Sequence, residues 1–240
     1  DGRGMLCNFL ENHDKPRSID RFLMPEDQNL YSEKMLPVTN FFLPGIVFLY
    51  QGQEIGMRDN PKQSIQGFVD KPTFAIYDRL IAEGKTDAEA LEQINRESRE
   101  HSRTPMQWDD SANAGFTTGT PWISVNKNYT QINAKAALED KDSVFYYYQK
   151  LIRLRKEKDI IVYGEFEPLY REDEQIFAYT RKQDQEKLLT VCNFSDKNAE
   201  VEVPEEFKGA ECLITNLGRK EFEGKIVLNP YEAFVLYYKH

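Results

Sequence analysis

Three cysteines in 240 residues, Cys7, Cys192 and Cys212, are too few and too scattered for a disulfide framework, and their odd number leaves one thiol over. The same scatter argues against a zinc site, so free thiols buried in strand-like runs are expected. No apolar stretch approaches the roughly 20 residues of a membrane-spanning helix, and no signal-peptide pattern opens the chain. With unpaired thiols, this makes the cytoplasm the expected compartment. Positive charge is in deficit: 31 Lys and Arg against 40 Asp and Glu give a net charge of −9. A nucleic-acid or anionic-membrane partner is therefore not expected. Internal repeats, low-complexity tracts and flexible linkers are also missing. The remainder, 40% hydrophobic and 12% aromatic, is globular, and the length allows one large domain or two smaller ones.

Met5 to Leu10 reads as a buried strand that breaks into Glu11-Asn12-His13-Asp14-Lys15-Pro16-Arg17. Two carboxylates, an imidazole and a guanidinium thus follow one strand end, the place where α/β enzymes present functional groups. Ser32 is read as the cap of a helix starting at Glu33 and carrying Met35, Leu36 and Leu43, with Pro37 expected to kink or delay it. Pro44-Gly45 stops that helix. The continuous apolar run Ile46–Tyr50 suits a strand covered on both faces, completing a β-α-β unit. Its exit, Gln51 to Met57, is read as scaffold, with Glu54 in a buried ion pair. Thr86-Asp87-Ala88-Glu89 has capping-box spacing and opens a helix whose Ala88, Leu91 and Ile94 share a face. Loops rich in aromatic and planar polar groups follow (102–109, 113–116, 120–123), and an amphipathic helix runs from Ser143 to Lys158. Beyond Gly164 short alternating runs recur at 175–182, 187–194, 199–204, 211–216 and 233–239, the pattern of an antiparallel all-β module.

From the residues alone, Glu11 and Asp14 fit two descriptions equally. They are an acidic pair at an active site, or a strand end closed by local hydrogen bonds with Arg17 paired to a carboxylate. Phe9-Leu10-Glu11-Asn12-His13-Asp14, followed by Pro16-Arg17, resembles the fourth signature region of the α-amylase superfamily, glycoside hydrolase family thirteen. Gly52-Gln53-Glu54-Ile55-Gly56-Met57, Ser102-Arg103-Thr104-Pro105-Met106-Gln107-Trp108-Asp109 and Asn113-Ala114-Gly115-Phe116 resemble its oligo-1,6-glucosidase and α-glucosidase branch. The resemblance runs over essentially the whole chain in order.

The resemblance implies an α/β plus all-β fold: residues 1–163 as the last two βα units of a (β/α)8 barrel, and 164–240 as a C-terminal antiparallel β-sandwich. It assigns Asp14 to the third catalytic carboxylate, which stabilises an oxocarbenium-like transition state through the bound sugar. His13 matches the imidazole that hydrogen-bonds the same sugar. Arg17 matches a structural or substrate-adjacent cation, and Arg103 a residue at the pocket entrance. Phe116 is the best candidate for stacking on a sugar ring, ahead of Trp108 and Trp122. Lys15 departs from the family pattern, which usually has Gln there. The nucleophile and acid/base segments of the family do not occur in these 240 residues, so the chain is expected to be the C-terminal portion of a glucosidase. It would be inactive alone and would pair with the missing barrel portion or self-associate. The implied substrates are α-linked gluco-oligosaccharides, with trehalose 6-phosphate or sucrose as alternatives. No cofactor or metal is expected, and a non-catalytic, truncated sugar-binding module is the competing class.

Overall fold

The computed structural model describes residues 4–239. In chain order these form β1 (Cys7–Phe9), α1 (Ser18–Phe22), α2 (Leu30–Phe41), β2 (Ile46–Phe48), α3 (Lys71–Ala82), α4 (Asp87–Glu97), α5 (Ala134–Glu139), α6 (Val144–Glu157) and α7 (Ile160–Tyr163). The strands β3 (Glu165–Leu169), β4 (Ile176–Gln183), β5 (Glu186–Asn193), β6 (Ala199–Val203), β7 (Glu211–Thr215), β8 (Gly224–Leu228) and β9 (Ala233–Lys239) follow. Two compact units result, one from residues up to 10 with 26–48 and 146 onward, the other from 11–25 with 49–145.

In the first unit β1 and β2 pair in parallel, Asn8 opposite Val47, with α2 between them in the chain. Both strands were expected to be buried, yet Phe9, Ile46 and Phe48 are each about half exposed. A two-stranded ladder covers neither of its faces and leaves both outer edges unpaired. The helix cap also differs from expectation. Asn29 is the N-cap of α2: its Oδ1 accepts the N–H groups of Tyr31 and Ser32, while Ser32 Oγ accepts Asn29 N–H. Ser32 is the reciprocal partner, three residues inside the helix. The helix continues through Pro37, with Met35, Leu36, Val38 and Phe41 buried.

Beyond α7 the strands form two antiparallel sheets, β3-β4-β5-β9-β7 and β6-β8. Strand alternation explains their joint core: Val201 and Val203 of β6 and Ile226 and Leu228 of β8 face Ile176, Leu189, Val191, Phe234 and Leu236. Five of the seven strands match the alternating runs of the sequence. β3 and β8 do not, since Glu165-Phe166-Glu167-Pro168-Leu169 contains a proline and Gly224-Lys225 opens with weak strand formers.

Arg181 on β4 is fully buried within this unit. Its guanidinium donates to the carbonyls of Phe42 (2.7 Å), Ile161 (2.6 Å) and Gly164 (2.5 and 3.2 Å). It thereby satisfies chain ends where helices stop and carbonyls lack intrahelical partners. Burial pulls its pKa down to about 10, so the charge persists at neutral pH. Replacing it by leucine leaves three buried carbonyls without donors. Arg181→Leu should therefore lower unfolding stability by about 3 kcal/mol or more, measured as a shift in urea midpoint at constant slope.

The second unit is built on α3 and α4. Thr86 and Glu89 form the expected capping box, with Glu89 Oε2 accepting Thr86 N–H at 2.8 Å and Thr86 Oγ1 accepting Glu89 N–H at 3.3 Å. The buried face of α4 is set by Ala90 and Ile94, with Leu91 half-buried and Ala88 exposed, one position away from the face expected. Among the described residues no helix is long and apolar enough to cross a membrane.

Candidate active site

The chain leaves β1 and enters the second unit at Glu11, whose carboxylate is 2% exposed. Oε2 pairs with Arg17 Nη1 at 3.0 Å, while Oε1 accepts both the N–H (2.9 Å) and Oγ–H (2.7 Å) of Ser18. Arg17 is itself fully buried. It also donates Nη1–H to Gln51 O (2.8 Å), and Tyr50 lies under its guanidinium, 5.4 Å from the ring centroid. The segment after β1 is thus tied to the segment after β2. Gly52, at φ +87°, is required here. Any Cβ would run into the sulfur of Met57 and approach Arg17 Nη1 at 3.3 Å.

That buried pair holds the two ends of an exposed turn. Asn12 Oδ1 accepts Asp14 N–H (2.9 Å) and Asn12 O accepts Lys15 N–H (3.3 Å), a local arrangement typical of asparagine. Asp14, half exposed, projects from it. His13 Nε2 stands 3.3 Å from Asp14 Oδ2, and Asp14 Oδ1 accepts from Arg103 Nη2 (2.6 Å) and Arg99 Nη1 (3.2 Å). Arg103 Nε–H donates to His13 O (2.8 Å). Partial desolvation pushes the Asp14 pKa upward. His13, Arg99 and Arg103 together outweigh it and hold the carboxyl below the ordinary aspartate range.

The sequence expectations therefore converge in part. Asp14, His13 and Arg103 touch one another. Arg17 lies beneath them, buried, with Nη1 bonded to Glu11 and Gln51 and Nε without a hydrogen-bond partner among the described residues. Phe116 is half exposed and shares a cleft of about 370 Å³ with Arg103, Glu54, Trp108 and Trp122. Its loop is closed by Ala114 O, which accepts Trp108 N–H (2.9 Å), and contains Asn113 and Ala114 at positive φ, +54° and +58°. The ion pair expected for Glu54 is not formed among the described residues. Burial raises its carboxyl pKa, against backbone N–H groups of the Gly52–Glu54 turn that lower it.

Two contributors were missed, Arg99 and Asp70. Arg99 opens the single-turn helix Arg99–Arg103, and the i,i+4 spacing of two arginines beside the recognised motif was the available signal. Asp70, preceding α3, is indistinguishable in sequence from an ordinary helix cap. Among the described residues no group of three or more His, Cys, Asp or Glu side chains could hold a metal ion.

Beneath the site lie two groups with displaced titration. His101 accepts Asn60 N–H at Nδ1 (3.0 Å), so the Nε2 proton faces Asn95 O (2.9 Å), and burial pushes its pKa down to about 4. Asp59 accepts Arg17 N–H (2.7 Å). Burial, followed by the nearby Asp20 charge, pushes its pKa up to about 8. Unfolded His101 takes up a proton near 6.5, which the folded form refuses. Its contribution to stability is complete above that pH and lost as pH falls toward 4. Folded Asp59 keeps a proton that the unfolded chain releases near 3.8, so its contribution is complete below that value and lost as pH rises toward 8. The two slopes oppose each other up to pH 6.5, and above it Asp59 acts alone. Unfolding stability should fall between pH 6.5 and 8, and Asp59→Asn should flatten that limb. A limb unchanged in the variant would contradict the assignment.

The model of the α-amylase catalytic domain matches residues 2–164, and that of the α-amylase SusG C-terminal domain matches 176–235. The chain is 44% identical over 240 residues to the oligo-1,6-glucosidase of Parageobacillus thermoglucosidasius, covering 98% of this chain and 43% of the relative. It is 40% identical to the trehalose-6-phosphate hydrolase of Bacillus subtilis, covering 98% and 42%. The crystal structure of the Bacillus licheniformis trehalose-6-phosphate hydrolase superposes with a TM-score of 0.91 at 38% identity, covering 98% and 43%. The chain spans about two fifths of the length of each of these relatives. It belongs to the α-amylase family, glycoside hydrolase family thirteen, and is oligo-1,6-glucosidase-like, with a C-terminal antiparallel sheet.

Proposed function

We propose that these 240 residues supply the transition-state-stabilising part of a retaining, exo-acting α-glucosidase that hydrolyses α-linked gluco-oligosaccharides of the isomalto or malto type. The observation carrying this reading is Asp14 itself: a half-exposed carboxylate kept ionised by two guanidinium groups and faced by an imidazole. Fixed negative charge of this kind stabilises a flattening, positively charged sugar ring, and the hydroxyl contacts tighten in the transition state. The nucleophile and the acid/base carboxylate, about 5–5.5 Å apart in retaining enzymes, belong in this proposal to protein outside the 240 residues. Residues 1–163 would then be the last two βα units of the barrel and 164–240 a separate sandwich. The bare faces of β1 and β2, and the cleft of about 570 Å³ along Cys7 to Leu10, fit further strands of that barrel. Three unpaired thiols suit a reducing, cytoplasmic setting.

The chain alone should release no nitrophenol from p-nitrophenyl α-glucoside. Fused behind the first three fifths of the Parageobacillus relative, it should hydrolyse isomaltose with the α-anomer appearing first by NMR. Asp14→Asn in that fusion should lower kcat on the order of 10²–10³-fold. Turnover by the chain alone, or an active Asp14→Asn fusion, would refute the assignment. On a sizing column the chain without the rest of the barrel should elute above its 28.1 kDa monomer mass, and a well-folded monomer would count against the barrel-portion proposal.

A further inference from the structure

Asp70 occupies the N-cap position of α3, with extended backbone (φ −75°, ψ 115°), but its side chain makes no capping hydrogen bond. Both oxygens go instead to Arg99: Oδ2 accepts Nε–H at 2.9 Å and Oδ1 accepts Nη2–H at 3.0 Å. This is the two-pronged geometry in which a planar guanidinium is most firmly oriented. The third nitrogen of the same guanidinium, Nη1, reaches Asp14 Oδ1, and Arg103 stands 3.9 Å from Asp70 by its own Nη1. Asp70 is in turn held from behind. The carboxylate of Glu100, 2% exposed, accepts the backbone N–H of Val69 (2.8 Å) and of Asp70 (2.9 Å) on one oxygen, Oε2. These two donors lie at and before the cap; Pro72 has no N–H, and the N–H of Thr73, the one open to a capping side chain, bonds the Asp70 carbonyl at 3.0 Å.

We infer that Asp70, presented by the buried Glu100, is a positioning residue for Asp14: it fixes the Arg99 guanidinium so that its free edge, with Arg103, clamps one oxygen of the Asp14 carboxylate. The clamp leaves Oδ2 beside His13 as the oxygen available to a hydroxyl. Asp70 also gives the arginines an alternative acceptor when a sugar displaces them from Asp14. This rests on the reading of Asp14 as the sugar-facing carboxylate, and it concerns how that carboxylate is held rather than what it does.

The titratable and charged groups facing Asp14 are His13 from its own loop, Arg99 and Arg103 from the turn after α4, and Tyr50 from the segment after β2. They make the test directional. If Asp70 acted only through its charge, removing that charge would strengthen the positive field at Asp14 and lower its titration midpoint. If Asp70 positions Arg99, removing it releases the clamp and raises the midpoint toward the ordinary aspartate range. Carboxyl carbon NMR titration of the 240-residue chain reads this, with the Asp14 signal assigned by its loss in Asp14→Asn. Asp70→Asn and Arg99→Gln should each shift the Asp14 midpoint upward, and the double variant should shift it no further than Arg99→Gln alone. An unchanged or lowered midpoint in Asp70→Asn overturns the proposal. Should Asp70→Asn fail to give a native circular dichroism spectrum, Glu100→Gln takes its place. An upward shift there supports the positioning role, and none overturns it. Either failure leaves the glycosidase reading intact, because that reading is decided by sugar hydrolysis.

Discussion

The buried Glu11–Arg17 pair is the interaction on which the rest of the site depends. Taking two charges out of water costs several kcal/mol per ion, and the cost is offset only when every lone pair and N–H is used. Here most are used: Glu11 accepts from Arg17 and twice from Ser18, and Arg17 also donates to Gln51 O. A pair this demanding has one good geometry, so it fixes where the chain returns after its excursion through Asp14. Losing either partner would strand a charge in the interior at a cost of about 3–5 kcal/mol. The turn between them can therefore be exposed and polar without being shapeless.

Around that pair the protein sorts its carboxylates by environment. Glu11 is buried and salt-bridged. The Asp59 carboxyl, also largely buried, accepts the backbone N–H of Arg17 and lies near Asp20; burial first and then that charge keep it protonated near neutral pH. Asp14 is exposed and surrounded by cations, which keeps it ionised. Neighbouring acidic groups thus differ in charge at the same pH because burial and partner charge act in opposite directions on each. Only one of the three is both charged and open to solvent, the combination needed to act on a ligand.

Much of this was legible in the sequence, for identifiable reasons. Strand alternation beyond Gly164 is a local period-two signal, and five strands were placed within one or two residues of their observed bounds. The capping box at Thr86 is likewise local. The motif Asn12-His13-Asp14 pointed to residues that the fold brings against Arg99 and Arg103. What escaped was the choice between near and distant partners. Ser32 and Asn29 both carry capping side chains, and only the packed helix decides which stands first. β1 and β2 carry the apolar runs of covered strands, but burial depends on what lies against them, and their faces are half exposed. Glu54 was assigned an ion pair because buried carboxylates usually need one. In the structure backbone N–H groups take that place and desolvation prevails.

Asp70 makes the same point in its sharpest form. A helix cap is a local bond between neighbours, available to any aspartate ahead of a helix start, and the sequence around Asp70 invites it. The structure leaves that cap unmade, ties the backbone N–H of Asp70 to Glu100, thirty residues later in the chain, and sends the Asp70 carboxylate to Arg99. A local bond is exchanged for a distant one. Such an exchange adds nothing to helix stability that the simple cap would not provide. Its effect is to extend an oriented guanidinium toward Asp14. Local rules broken without gain in stability concentrate where a protein must present a group in one orientation. On that ground the exchange of a local cap for a distant arginine is read as part of the site.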